Sequence, residues 1–540
     1  MTGSKPITLL GGATSPRPGA AEYDFIVVGA GTAGCVIAAR LTEDVGARVL
    51  LLEAGGREPL DAVAVPPAWP SLEGTSADWA DSTVALTASG TAMRWARGRG
   101  FGGSSAINGM IFMRGHRSSY DVWPAGWGFD QLLPYFRRSE HTQGRDPALR
   151  GVAGPLQVSP ARSRHPLAEA GLAAAVEAGY PAATDISGGL EEGFGWCDLT
   201  IADGRRVSAA DAYLAPALTR PNLELVAHAL VHRVLVRGGR CVGVEYSVGS
   251  EIFSAGCRGE VVLAAGTVGS PLVLMRSGIG PQPHLGKMGV EGILNLPGVG
   301  QNLQDHAAAS VVYRSAQSMP PGANNHGEML GLLRSDPALD APDLQILFID
   351  VPYNAPSLPG PDQGYALLVS LMAPHSCGSV QLQSADPRTG PRLDPNYLSD
   401  SRDIDVLVAG LDLARAIGHA AALDRWRSAE VHPGPEARSS DTLRAYLRSA
   451  LQTYHHPVGT CRIGEGDTAV VDDELRVHGI DGLRVADASV MPSIVSGTIQ
   501  ASVYGIAERA ASLMHGIDSG FHRQHTKGFS PIKTGLASPR

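Results

Sequence analysis

The stretch Tyr23–Glu53, YDFIVVGAGTAGCVIAARLTEDVGARVLLLE, decides the fold. Phe25–Val28 is a short apolar run that reads as a strand, and Arg48–Leu52 reads as a second. Between them Gly29, Gly31 and Gly34 spell G-x-G-x-x-G ahead of an amphipathic helix. The first two glycines allow a tight turn and close approach of the backbone to a pyrophosphate; the third lets the helix lie against the strand. Around Thr32 and Ala33 the helix begins, where unpaired N–H groups and the helix dipole favour phosphate. Glu53 and Ala54 close the second strand about 20 residues beyond the glycines, where a carboxylate accepts hydrogen bonds from ribose hydroxyls. The unit fits the adenosine of FAD or NAD and would repel a 2′-phosphate. A lone G-x-G-x-x-G is also met in ordinary tight turns; strand, helix and terminal acid together specify a βαβ dinucleotide cradle.

The remaining composition is that of a globular protein. With 540 residues, 44% of them hydrophobic, the chain can bury a large core and divides into two or more domains. A formal net charge of -9 argues against a general nucleic-acid binder. The six cysteines, Cys35, Cys197, Cys241, Cys257, Cys377 and Cys461, are scattered without a C-x-x-C pair, which points to a reducing cytoplasm. No apolar run reaches the length of a membrane span, and Met1–Ala21 lacks the apolar core of a signal peptide. Residues 1–20 read as a flexible lead, and 516–540, with Arg523, Lys527, Lys533 and Arg540, as a short basic disordered tail.

Beyond the cradle, Glu58–Ala92 has no sustained period and reads as irregular. Gly98–Asn108, GRGFGGSSAIN, offers four glycines and two serines as bare backbone N–H groups and small hydroxyls to an extended ligand. Val261–Ala265 is a continuous apolar run of the buried parallel type. Asp343–Phe348, Ala366–Met372 and Gly378–Ser384 read as strands of a mixed or antiparallel sheet, and Ile404–Ala416 and Ser440–Leu451 as helices. Gln317–His326, with two prolines, a glycine and two asparagines, reads as a mobile loop at an entrance.

Four separated blocks resemble the glucose-methanol-choline (GMC) oxidoreductases, FAD-dependent alcohol oxidases and dehydrogenases. They are the βαβ unit Asp24–Gly55; Gly98–Trp123, GRGFGGSSAINGMIFMRGHRSSYDVW; Gly266–Gly280, GTVGSPLVLMRSGIG, with Leu296–His306, LPGVGQNLQDH; and Tyr454–Gly464, YHHPVGTCRIG, with Gly482–Pro492, GLRVADASVMP. The resemblance extends from Tyr23 to His515. It implies a mixed α/β chain: a Rossmann-like FAD-binding domain from 21–150, 215–317 and 452–515, and a substrate domain from 151–214 and 318–451 on a mixed or antiparallel sheet flanked by helices.

Carried over residue by residue, the resemblance assigns cofactor contacts to Arg99, Gly102, Gly103, Ser104, Asn108, Gly109, Ala265, Ala488 and Gln500 as well as the cradle. It gives Val231 a backbone contact to adenine. Asp487, at the end of the apolar strand Leu483–Ala486, accepts a ribityl hydroxyl or orients backbone donors. His456, directly before Pro457, takes the hydroxyl proton of the alcohol while hydride leaves for flavin N5; an imidazole titrating near neutrality suits that role. His455 lines the pocket or packs behind the base. Two departures from the family stand out. Thr498 occupies the place of the usual second His or Asn and cannot act as a base. Ile107 stands where some members attach FAD through a histidine, which implies FAD held without a covalent bond.

The expected reaction is oxidation of a polar primary alcohol to the aldehyde, with electrons passed to O2 or another acceptor. Choline is less favoured, because aromatic residues make up only 6% of the chain and few fall in the expected substrate roof. A lyase or light-driven decarboxylase on the same fold, or a non-catalytic flavoprotein, remain as alternatives, since a fold does not fix a reaction. A nicotinamide enzyme fits less well, with one Rossmann fingerprint and no second nucleotide half. No nucleic-acid or membrane partner is expected.

Overall fold

The computed structural model describes residues 22–516. The expected N-terminal lead, and the tail beyond Gly516, lie outside the described residues. Along the chain the framing elements are β1 (Glu22–Val28), α1 (Thr32–Leu41), β2 (Val49–Leu52), α2 (Pro166–Glu177), β3 (Gly193–Trp196), β4 (Leu223–Val226), β5 (Ala229–Arg237), β6 (Arg240–Val248), β7 (Glu251–Leu263) and α3 (Gly266–Arg276). They continue as β8 (Ala307–Ser315), β9 (Met329–Leu333), β10 (Leu344–Ile349), β11 (Gly364–Leu371), α4 (Ser401–Gly418), β12 (Arg427–His432), α5 (Ser440–Ala450), β13 (Gln452–Thr453), β14 (Leu483–Val485) and α6 (Gln500–Met514).

Two sheets organise these elements. In the first, β4, β2, β1, β7 and β14 run parallel in that order, and the first half of β7 continues antiparallel into β6 and β5. Parallel strands are covered on both faces, which is why Ile26–Val28, Leu50–Leu52 and Val261–Leu263 are unbroken apolar runs, all at most 3% exposed. The helix α1 lies close against this sheet: a β-carbon placed on Gly34 would fall 1.8 Å from the Gly29 carbonyl oxygen. Helix α6 packs beside α1, tied by Arg40, whose guanidinium reaches the buried Glu508 carboxylate at 2.7 Å, while the Tyr213 hydroxyl donates to the same oxygen at 2.8 Å. That pairing fixes α6 beside α1, and Gln500 at its start lines the cavity between the two sheets.

The second sheet has the order β12, β8, β11, β10, β9, β3, with β13 paired to the start of β8, and every pairing is antiparallel. Period-two alternation splits its strands. Leu344, Ile346 and Phe348 join the core beneath α2, α4 and α5, while Leu347 and Ile349 face a cavity on the opposite side. Of the mixed or antiparallel sheet expected, the antiparallel form is the one present. The strands β8 and β13, expected at the edges of the cofactor-domain segments 215–317 and 452–515, belong to this second sheet; their partners are set by long-range register that no local pattern reports. The segment Glu58–Ala92 contains short 3-10 turns over Asp61–Ala64 and Pro66–Leu72 rather than wholly irregular chain. Among the described residues no helix is long and apolar enough to cross a membrane.

The approach of α1 to the first turn makes a direct prediction. Gly34→Ala must push the helix off the strand, costing about 1–3 kcal/mol. A lowered thermal midpoint together with weakened flavin retention is expected; an unchanged midpoint would show that the contact is not tight.

Candidate active site

Between the two sheets lies an elongated cavity of about 890 Å³, in the upper range of ligand clefts. Its cradle end carries Gly29, Gly31, Thr32, Ala33, Glu53, Ala54 and Val231; its middle, Gly103, Ser104, Asn108, Gly109, Ala265, Asp487 and Ala488; its far end, His455, His456, Thr498 and Gln500. Three residues expected as cofactor contacts are not on the wall. Gly34 is the packing glycine just described. Gly102, at φ +88°, donates its N–H to the Ala30 carbonyl at 2.8 Å, and Arg99 lies over the Trp79 ring, 5.1 Å from its centroid. The Gly102 bond ties the glycine-rich turn to the cradle, and Arg99 packs on Trp79, itself a wall residue.

The cradle end is built for an anion and a polyol. Helix α1 begins at Thr32 with no side-chain cap, and its first intrahelical N–H bond is that of Cys35 to the Gly31 carbonyl, so the first-turn N–H groups of Thr32 and Ala33 face the cavity uncapped. A β-carbon on Gly103, at φ +51°, would meet the Gly31 Cα at 2.7 Å, so only glycine permits these turns to touch. Burial pushes the Glu53 carboxyl up, against three N–H groups that favour its charge: Ala30 at 2.8 Å, Gly55 at 2.7 Å and Gly100 at 3.0 Å. Asp487 orients backbone: its Oδ2 accepts from Gly266 N–H at 2.9 Å and the Ser270 hydroxyl at 2.5 Å, and its Oδ1 from Ser489 N–H at 2.8 Å. In the middle, Asn108 donates to Gln500 Oε1 at 3.0 Å and accepts from Arg206 at 2.7 Å. That leaves the Gln500 Nε2, buried on the wall, without a protein partner. Uncapped N–H groups, a ribose-type carboxylate and an orphaned amide donor along one cavity fit a dinucleotide flavin.

At the far end the chain Tyr454-His455-His456 turns sharply, with His455 at φ +59°. The His456 N–H donates to Asp305 Oδ1 at 2.7 Å, and the His455 N–H to the Thr453 hydroxyl at 2.8 Å. The His456 ring stands perpendicular to that of His306, with their Nδ1 atoms 3.0 Å apart. His456 Nε2, on the cavity side, has no hydrogen-bond partner among the described residues. Desolvation, with the neighbouring His306 and His455, holds His456 well below the ordinary imidazole value, and burial drives His306 down to about 3 and His455 to about 4. The Thr498 hydroxyl donates to the Ile111 carbonyl at 3.2 Å, so its proton is committed and its lone pairs are not. Ile107 is buried on the wall.

Sequence reasoning passed over several residues here. Asp305 and His306 sit in the LPGVGQNLQDH block, which carries the family resemblance without giving either residue a role. Trp69, Glu73, His326 and Tyr353 also line the far end; of these only His326 falls in a segment, the entrance loop Gln317–His326, that the sequence singles out.

Residues 23–308 and 374–507 match the GMC oxidoreductase family. The chain is similar to the mitochondrial choline dehydrogenase of Homo sapiens, at 40% identity over 92% of this chain and 90% of that protein. It is similar to the oxygen-dependent choline dehydrogenase of Burkholderia vietnamiensis, at 39% identity over 92% and 94%. Among solved structures, the pyridoxine 4-oxidase from Mesorbium loti superposes with a TM-score of 0.89 at 37% identity, covering 92% of this chain and 99% of that one. The chain belongs to the GMC oxidoreductase family, FAD-dependent enzymes acting on CH–OH donors.

Proposed function

We propose that the protein oxidises a polar primary alcohol to its aldehyde, with His456 as the general base. The observation that carries this reading is the His456 ring: one nitrogen is braced by a buried neutral imidazole and the other is free at the cavity. FAD, when bound along the cradle without a covalent link, supplies the hydride acceptor, and O2 or another oxidant restores it.

His306 stays neutral because burial opposes its charge. Of the two facing Nδ1 atoms, 3.0 Å apart, one donates and the other accepts; the tautomer in which His456 donates from Nδ1 keeps its Nε2 lone pair for the hydroxyl proton. Asp305 fixes the backbone on which this ring is mounted. Thr498 offers an acceptor or positioning contact to the substrate oxygen, and His455, with no partner at its Nδ1, lines the same space. The cavity geometry and the family's motif support these residue roles.

Substrate recognition falls to the far wall. Low aromatic content weighed against an ammonium site, yet Trp69, Tyr353 and Tyr454 meet here, and the Glu73 carboxylate acts electrostatically on Tyr353. Aromatic faces with a carboxylate suit a cationic head group, so choline-like alcohols stand beside uncharged polar ones, in keeping with the names of the relatives. All six cysteines are free, as suits a reducing cytoplasm.

Three outcomes test this reading. His456→Ala, with FAD content unchanged, is expected to slow flavin reduction by alcohol about 10²–10⁴-fold in anaerobic stopped flow; a rate within a factor of a few of the wild type would remove His456 from the chemistry. Because His456 titrates below the ordinary 6.5, it is unprotonated through neutrality. The acid limb of kcat/KM should therefore lie below pH 6.5, with activity falling as pH drops through it, and a limb above 6.5 would contradict the assignment. Acid precipitation should release all flavin into the supernatant, whereas flavin remaining with the pellet would disprove non-covalent binding.

A further inference from the structure

We infer that His326 is a positioning residue whose doubly protonated ring ties the segment Pro66–Leu72 across the substrate end of the cavity, and that this tie is released as His326 loses a proton. The inference rests on reading the His456 end of the cavity as the substrate end.

Both ring nitrogens of His326 face acceptors. Nδ1 lies 2.6 Å from Asp350 Oδ1, and Nε2 lies 3.1 Å from the Pro67 carbonyl oxygen. Neither a carboxylate nor a backbone carbonyl can donate, so satisfying both requires an N–H on each nitrogen, which is the imidazolium form. The same turn holds the crossing segment a second time, through the Trp69 indole N–H to the Asn325 carbonyl at 2.9 Å. Trp69, Pro70 and Glu73 of that segment and its flank line the cavity, as does His326.

The arrangement is held in a demanding geometry. His326 adopts φ +67°, a left-handed conformation that a non-glycine residue takes only where its surroundings impose it. Asp350 imposes it twice, since its backbone N–H also donates to the His326 carbonyl at 3.1 Å. Gly322 packs on the pair so closely that a β-carbon there would lie 2.6 Å from Asp350 Oδ2 and 2.8 Å from His326 Nδ1. The loop Gln317–His326, expected to be mobile, is thus pinned at its C-terminal end.

The charges around the ring agree in sign. Burial works against the imidazolium, but the hydrogen bond and charge of Asp350 outweigh it, the Pro67 carbonyl and Glu328 add to it, and His326 titrates above its ordinary value. Asp350 stands at the end of β10, Glu328 just before β9, and Glu73 and Tyr353 on the facing wall. A raised histidine value means the cation is present below the titration and lost as pH rises through it. The single proton that remains stays with the carboxylate, where the charge-assisted bond is stronger, and the Pro67 carbonyl loses its donor. The crossing segment is then held from this side through Trp69 alone.

The test uses the FAD-loaded enzyme labelled with 5-fluorotryptophan, the Trp69 resonance being identified by its loss in Trp69→Phe. In wild type the Trp69 fluorine signal is expected to move in one single-proton step centred above the ordinary imidazole value of 6.5. In Asp350→Asn the step should fall about 1–3 pH units lower, since an opposing charge is removed. In His326→Gln it should vanish, with the signal at the wild-type high-pH position. A step that survives unchanged in His326→Gln, or a wild-type signal that ignores pH, would overturn the inference. The readout needs no turnover, so it stands apart from whether His456 is the base.

Discussion

The carboxylate of Asp305 is the point on which the site depends. It is 4% exposed and accepts from four donors: the His456 backbone N–H, the Thr453 hydroxyl at 2.5 Å, the Trp95 indole at 3.3 Å and the Tyr397 hydroxyl. Burial pushes its carboxyl up, and each donor opposes that by favouring the charge. A buried carboxylate is tolerated only when so surrounded; removing donors would leave an uncompensated charge and free the His455–His456 turn. The very next residue, His306, braces the His456 ring. One dipeptide at the entry to β8 therefore fixes both the backbone and the side chain of a histidine 150 positions further along.

This anchor lies where the two sheets meet, which explains the division of labour in the cavity. The cradle end is held by parallel strands buried on both faces and by α1 in close contact, so its donors are preorganised for a rigid cofactor. The far end takes one wall from the inner face of the antiparallel sheet and another from 3-10 turns tied on by hydrogen bonds.

Local pattern revealed most of the fold. The βαβ unit, the strands over 343–348 and 366–372 and the helices over 404–416 and 440–451 all appear within a few residues of their expected limits, because period and apolar runs are local properties. Ala307–Ser315 and Gln452–Thr453, which fall within the segments assigned to the cofactor domain, pair in the second sheet and are defined by partners far along the chain. The site divides the same way. Glycines and the His-Pro pair carry a wording that survives in any reading of the sequence, so most of the expected wall residues are on the wall. His306, Asp305 and His326 act through single hydrogen bonds to distant segments, and a lone histidine or aspartate carries no such mark. A glycine-rich loop leaves open which of its N–H groups turn inward, and Gly102 and Arg99 are absent from the cavity wall.

The central claim is that this cavity oxidises alcohols. Its most direct test is to mix the FAD-loaded protein anaerobically with choline, aromatic, furanic, pyridoxine-like and amino-sugar alcohols and to follow the visible absorbance of the oxidised flavin. The account predicts bleaching by at least one of these classes. Flavin that stays fully oxidised with all of them, while bound and intact, would contradict it.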